Sequence, residues 1–372
     1  MVKFNYYPHL IKFFSAGAVW GTANYIPIFA SSVGIADADI GLIASLFAIA
    51  MFFSAYFFGR LADSIGRRPL ILIGLLLSSM SFILYIYAKD FGSFLLVRIL
   101  SGIAISIQAS ALTAYAHDIG HKLGRLTAFE SLGVAFGSIL MGMIVLFADI
   151  ITIFAVSAIF FFLAFIASLK LEKTNFRKAS IHLFPYHIMK RNLAVYVSFF
   201  IRHSAANSIW VFWGLYLLQL GGSLFLVGAA MAINTITQFF VMFAVTDKIK
   251  AKTLIPLGTL LSAVAFFSFG IAADIWQLLL MQIILGFSWA FLYVGSIRWV
   301  TENTKEKATG LGMLNSVMNL SMLAGPLLAT FIIQFGGYRM IMFVAAGMAL
   351  SSFLVFDLLA RRMKIYDFSR KY

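Results

Sequence analysis

The sequence predicts an all-α membrane protein: twelve transmembrane helices in two pseudo-symmetric six-helix bundles. Three observations lead there. Of the 372 residues, 62% are apolar and only 11% are charged. A soluble domain carries about 25% charged residues, so this chain cannot clothe a water-facing surface of its size. Twelve apolar runs of roughly 20 residues each match the ~30 Å hydrocarbon core of a bilayer, and they leave no room for a separate soluble domain. The runs also divide six and six about one long polar connection, across which the sequence repeats.

Span 1 is read at 10–32. The start, Met1 to Phe14, has two lysines ahead of the apolar run and no small-residue cleavage site, so the span is expected to be a retained helix rather than a signal peptide. Span 2 (39–58) begins beside Asp37 and Asp39 and stops at Gly59. Span 3 (69–88) takes Pro69 into its first turn, and span 4 (92–115) follows Lys89 and Asp90. Span 5 (125–147) is entered from Lys122 and Arg125, and span 6 (149–169) runs from Asp149 to Lys170. Spans 7 (193–219) and 8 (224–246) lie between Arg191 and Lys248. Asp274 separates spans 9 (253–273) and 10 (276–299). Spans 11 (309–335) and 12 (338–360) run from Lys307 to Arg361.

Lysine and arginine placement sets the orientation. One set of ends carries Arg60, Arg67, Arg68, Lys122, Arg125, Lys170, Lys173, Arg177, Lys178, Lys190, Arg191, Lys248, Lys250, Lys252, Lys305, Lys307, Arg361, Arg362, Lys364, Arg370 and Lys371. The other holds Lys89 and Arg339 beside Asp37, Asp39, Asp90, Asp149 and Asp274. The basic ends and both termini are therefore expected in the cytoplasm, in a multi-pass protein of the cytoplasmic membrane. The domains are expected at 1–170 and 193–372, joined by a basic linker at 171–192 that hugs anionic headgroups. The net charge of +14 sits at helix ends rather than on a soluble basic face, which argues against nucleic acid. With no cysteine there is no disulfide framework, thiol nucleophile or thiolate metal site.

A shift of 184 residues places Asp63 on Asp247, Asp90 on Asp274, Arg98 on Gln282 and Gly102 on Gly286. A shift of 187 places Gly34 on Gly221 and Gly41 on Gly228. The order and near-constant offset point to a duplicated six-helix unit, the construction of many transporters, whose solute site lies near the midplane between halves.

The most informative stretch is Gly59-Arg-Leu-Ala-Asp-Ser-Ile-Gly-Arg-Arg-Pro69, a tight turn between spans 2 and 3. Gly66 permits a positive backbone dihedral, Pro69 suits a helix start, and Asp63 lies among three arginines. The stretch resembles the G-x-L-a-D-r-x-G-r-r signature of the major facilitator superfamily, with Ser64 departing from it. Arg98-Ile-Leu-Ser-Gly102 is similar to that family's R-x-x-x-G element. Gly133-Val-Ala-Phe-Gly137-Ser138 resembles its antiporter-associated G-x-x-x-G-P element, with Ser138 in place of proline, and Thr246-Asp247-Lys248 looks like a degraded second copy of the first motif. The resemblance implies a gating role for Gly59, Asp63, Gly66, Arg67 and Arg68. It implies that Asp63 faces the start of span 11 near Thr309 and Gly310, where a helix dipole favours an anion, and that Arg67 pairs with Asp118.

Ionisable residues inside spans face a cavity or a partner. Arg98 and Arg202 approach the midplane, whereas Arg298 can snorkel to an end. His203, Asn207, Trp210 and Gly214 recur at steps of four, three and four, one face of a helix. The corresponding positions of span 1 are Ala16, Trp20, Ala23 and Pro27, with Asn24 beside them. Asn234–Gln238, Gln282–Gly286–Trp289–Tyr293 and Asn315–Asn319–Met322–Pro326 are further stripes. The resemblance places spans 1, 4, 7 and 10 around the cavity. The candidate solute residues are thus Trp20, Asn24, Arg98, Arg202, His203, Asn207, Trp210, Gln282, Trp289 and Asn319, with interhelical hydrogen bonding as the competing role for each amide. No carboxylate lies near the middle of a span; Glu130 and Asp357 stand inside span ends. The cavity is therefore expected to suit an anionic or neutral amphipathic solute.

The expected function is secondary transport of a small organic solute by alternating access, either as proton-coupled, drug-efflux-like antiport or as an organic-anion carrier without protons. His203 and Glu130 are the candidate proton-coupling groups. A membrane-embedded enzyme would need a nucleophile–base pair or metal cluster, and a receptor would not need midplane arginines. No cofactor and no metal are expected; His117 and His121, four apart beside Asp118, read as a polar helix end. The expected partners are the solute, membrane lipid and, in the coupled reading, protons, for a monomeric chain.

Overall fold

The computed structural model describes residues 6–121, 123–172, 186–304 and 307–368. The surroundings of Gly59 in α3 and the side chains of Asp63, His117, Arg125 and Asp247 lie outside what is described, and with them the expected contact of Asp63 with span 11. The described residues form fourteen α-helices and two short 3-10 turns, with no strand among them. Helices α1 (Tyr7–Ala23) and α2 (Ile26–Ser32) share span 1. Spans 2 to 6 are α3 (Asp37–Ile65), α4 (Arg67–Leu84), α5 (Phe91–Asp118), α6 (Leu123–Phe147) and α7 (Thr152–Ser168). A short α8 (Tyr186–Arg191) precedes α9 (Leu193–Trp210) and α10 (Trp213–Gln219), which share span 7. Spans 8 to 10 are α11 (Leu224–Ala244), α12 (Ala251–Ile271) and α13 (Ile275–Asn303), and α14 (Lys307–Phe368) holds spans 11 and 12.

Two spans read as single helices are broken, and the reason is local. Pro27 has no N–H to offer the Ala23 carbonyl and its ring crowds the preceding turn, so the first span interrupts at Asn24–Tyr25. The second break falls at Val211–Phe212. Gly214 occupies the position of Pro27 there, and glycine costs a helix about 1 kcal/mol. In contrast, α14 is two helices met end to end, one for each of spans 11 and 12. Its two halves join at Gly336–Gly337, where Gly337 takes φ 61°.

The duplicated unit is visible in the backbone. Gly34 and Gly221 both adopt positive φ, 85° and 83°, at the 187-residue offset. Asp90 accepts from the Ser93 N–H and Asp274 from the Gln277 N–H, each at 3.0 Å, so equivalent aspartates hold the starts of α5 and α13. A methyl at Gly74 would stand 2.7 Å from the Gln108 nitrogen, and one at Gly258 2.6 Å from the Leu292 nitrogen. Those two crossings, α4 on α5 and α12 on α13, sit at the same 184-residue offset.

Packing divides the chain into two compact units, 1–180 with 213–235, and 181–212 with 236–372. In the first, α1 lies against α6 and α7, and α5 lies against α3 and α4. Gly133 and Gly137 of α6 meet the Phe13 and Gly17 carbonyls of α1, the close approach that a small-x-x-x-small pattern permits. The first unit also takes in α10 and part of α11, which belong to the second repeat. Tyr25 donates its hydroxyl to the Leu224 carbonyl at 2.9 Å. A methyl at Gly228 would collide with the Ser138 carbonyl, and one at Gly214 with the Asn24 carbonyl. In the second unit α9 packs on α14, and α12 on α13 and α14.

Phe53, Phe147, Phe243, Leu280 and Phe335 are all exposed. So much bare apolar surface suits lipid rather than water. Tyr87 and Trp276 are exposed next to the acidic turns, where amphipathic rings favour a membrane interface.

Candidate solute site

Helix α9 is nearly enclosed, and its partly exposed residues in the second unit include His203, Asn207 and Trp210, three of the four in the predicted stripe. The fourth, Gly214, is buried. On α13 the row Trp276, Leu280 and Ile283 is exposed. Trp289 follows Leu280 by nine residues, half a turn out of phase at 100° per residue, and is itself partly exposed. Trp289 and Tyr293 therefore open on the face away from that apolar row.

These rings form a ladder. His203 stacks on Trp289 with centroids 5.0 Å apart and planes 26° from parallel. Trp289 stacks on Tyr293 at 5.2 Å and 10°. Phe199 closes the deeper side, 5.3 Å from His203 and 5.9 Å from Trp289. Continuous π surface with polar edges can hold a flat organic ring by stacking, a contact worth about 0.5–1.5 kcal/mol per ring pair beyond burial.

Arg202 stands behind this ladder at 2% exposure. Its Nε donates to Ser262 Oγ at 2.7 Å and one Nη to Ser288 Oγ at 3.1 Å. Both serines reach the Gly258 carbonyl, at 2.8 and 3.0 Å. The guanidinium carbon lies 5.4 Å from the Phe266 centroid and 5.5 Å from that of Trp289. None of the salt bridges among the described residues involves Arg202. A buried ion loses several kcal/mol of hydration. Here the return comes from charged hydrogen bonds of about 1.5–3 kcal/mol each and from cation–π contact.

The remaining candidates are dispersed. Asn207 turns its amide back to the His203 carbonyl at 2.8 Å. Gln282 is fully buried and Asn319 exposed. In the first unit Trp20 is exposed and Asn24 buried. Arg98 sets its guanidinium carbon over the Phe47 ring, 3.6 Å from the centroid, and donates to the Tyr85 hydroxyl at 3.3 Å. Glu130 pairs with Lys12 at 3.0 Å. Lys12, Ser262 and Ser288 were not among the sequence candidates. The signal for Ser262 was its small-residue spacing, Gly258-x-x-x-Ser262, repeated as Gly74-x-x-x-Ser78.

The motif turn is built as its residue types require. Gly66 takes φ 97° between α3 and α4. Arg67 Nε reaches Asp118 Oδ2 at 3.3 Å, and Arg68 donates to the Leu169 carbonyl at 3.0 Å. His121 packs its ring 5.0 Å from that of His9.

Comparison with known proteins agrees with this architecture. The profile described as Major Facilitator Superfamily matches residues 9–191 and 195–365. The chain is 24% identical over 353 residues to the multidrug resistance protein MdtG of Salmonella choleraesuis, covering 88% of this chain and 87% of that protein. The crystal structure of the nucleoside transporter NupG superposes with a TM-score of 0.78 at 13% identity, over 96% of this chain and 99% of that one. The human organic anion transporter MFSD10 (TETRAN) gives 0.68 at 19% identity, over 94% and 97%. The profile spans both repeats, and the chain therefore belongs to the major facilitator superfamily, whose members are multi-pass membrane transporters of small-molecule solutes rather than enzymes.

Proposed function

We propose that this transporter carries flat, amphipathic organic solutes, neutral or anionic, by alternating access across the cytoplasmic membrane, with the basic helix ends and both termini inside. One observation carries the reading: the His203–Trp289–Tyr293 ladder opens on the side of α13 opposite its apolar row. None of the salt bridges among the described residues brings a carboxylate to His203, and the ring contacts of His203 and Trp289 are all aromatic, which supports a solute without positive charge. Similarity to a multidrug resistance protein supports the amphipathic class. Asn207 and Trp210 of the same open stripe join the ladder in the proposed solute-contacting set, Trp20, Asn24, Arg98, Gln282 and Asn319 stay in it on the sequence pattern alone, and Asp63, Gly66, Arg67, Arg68 and Asp118 act in gating.

For coupling, Glu130, which is paired with Lys12, and His203 are the proposed proton-carrying groups. The test is flux of anthracene-9-carboxylate in proteoliposomes with and without an imposed pH gradient. Accumulation should follow the gradient in the wild type and be lost in Glu130→Gln. Accumulation that survives Glu130→Gln but not His203→Gln would move the role to His203. No response to the gradient in the wild type would leave a facilitator, and no saturable flux of any flat solute would refute the transport reading itself.

A further inference from the structure

We infer that Arg202 is a specificity-determining residue that selects solute charge through the aromatic ladder, without touching the solute. The inference rests on the ladder being the solute site and adds the group that sets its charge preference.

Geometry separates this role from direct contact. Arg202 and His203 are consecutive on α9, about 100° apart around the helix, so one faces the open stripe and the other the α12–α13 crossing. The guanidinium is buried and committed to Ser262 and Ser288. A solute stacked on the open side of the ladder would meet rings rather than the guanidinium. Yet the positive charge lies only 5.5 Å behind the Trp289 centroid, with no carboxylate paired to it among the described residues. The charge is fixed by the two serines and shielded from water, so its field reaches the open face of the ladder with little screening. A charge on a stacked solute would stand on the order of 9 Å away, where Coulomb's law at an effective dielectric of ~20 changes affinity about tenfold or more per unit charge. Cations lose that factor and anions gain it. Phe266 on the guanidinium's other contact is buried and offers no competing solute surface.

The experiment uses one flat scaffold in three charge states: anthracene-9-carboxylate, anthracene-9-carboxamide and 9-(aminomethyl)anthracene. Binding to the purified full chain is read by fluorescence. The wild type should bind them in that order, with steps of about tenfold. Arg202→Gln should bring the three affinities together, and Arg202→Lys should restore the order. Ser288→Asp, which sets a carboxylate beside an intact Arg202, should flatten the order as well and serves if Arg202→Gln does not fold. Loss of packing alone would weaken all three solutes alike and leave their ratios unchanged. A wild type that binds the cation as tightly as the anion overturns the inference, as do wild-type ratios in a folded Arg202→Gln or Ser288→Asp. Trp289→Ala separates the two levels. If it leaves all three affinities intact, the ladder is not the site; if it weakens all three while the wild-type order is flat, the ladder stands and the role of Arg202 falls.

Discussion

Gly228→Ala should change which state this transporter occupies while leaving its fold intact. The added methyl would meet the Ser138 carbonyl, the Tyr25 hydroxyl at 2.8 Å and the Gly142 Cα at 3.1 Å. Two of those neighbours are backbone and cannot rotate away, and Tyr25 is held by its bond to the Leu224 carbonyl. Overpacking of this kind costs about 1–3 kcal/mol. Because α11 and α6 come from different repeats, alternating access requires this seam to part once per cycle, so the cost falls on the closed state alone. It converts to a population shift of about 5–150-fold toward the state open at the acidic helix ends. Tyr25→Phe removes one buried hydrogen bond, ~1 kcal/mol, and should shift the same equilibrium less. Gly137→Ala is the control. Its methyl would meet Gly17 Cα at 2.7 Å, but α1 and α6 belong to one repeat and stay together, so it should lower thermal stability without moving the population. The chain has no cysteine, so spin labels can be attached cleanly at cysteines replacing Ala36 and Ser223, both exposed. Longer distances should appear in Gly228→Ala and not in Gly137→Ala. Unchanged distances, with Gly228→Ala losing stability as Gly137→Ala does, would show a static seam and refute the reasoning.

Topology can be read with the same cysteine-free background: an impermeant thiol reagent should reach a cysteine at Gly222 from outside the cell and one at Lys170 only from inside, and the reverse would invert the proposed orientation. The Ser93 backbone N–H and hydroxyl hold the Asp90 carboxyl below its usual pKa. The helix-start stabilisation is therefore present above the ordinary aspartate pKa and lost as pH falls through the lowered one, below about pH 4. Protection from hydrogen exchange at the first turn of α5, measured against the intrinsic rate at each pH, should fall in that range, and Asp90→Ala should lower it at neutral pH. Gly66→Ala would force φ 97° on a residue with a Cβ, a strain of about 1–3 kcal/mol, and should lower the melting temperature even if transport persists.

The twelve spans were legible because lipid solvation demands long apolar runs and little else. The repeat was legible because duplicated turns need the same residue types: glycine at Gly34 and Gly221, aspartate at Asp90 and Asp274. The helix breaks were not read, since an apolar average ignores backbone donors. Pro27 carried the signal for the first break, but nothing as strong marks Val211–Phe212. The open stripe on α9 followed from its 3.6-residue period, and the same period already set Arg202 off that stripe by one residue. What sequence could not supply was its partners, because Ser262 and Ser288 come from other helices and meet only through the Gly258 crossing. The Gly133-x-x-x-Gly137 pattern was read through its family resemblance, and its physical content is the close approach of α6 to α1.

The central claim, that solute crosses by stacking on Trp289, is tested most directly by counterflow in proteoliposomes loaded with unlabelled anthracene-9-carboxylate and supplied with labelled solute outside. Exchange at equal pH needs the site and alternating access but no ion gradient. The account predicts saturable exchange in the wild type, exchange preserved in Trp289→Phe, and exchange reduced at least tenfold in Trp289→Ala at unchanged protein stability. Wild-type exchange rates in a stable Trp289→Ala would contradict it.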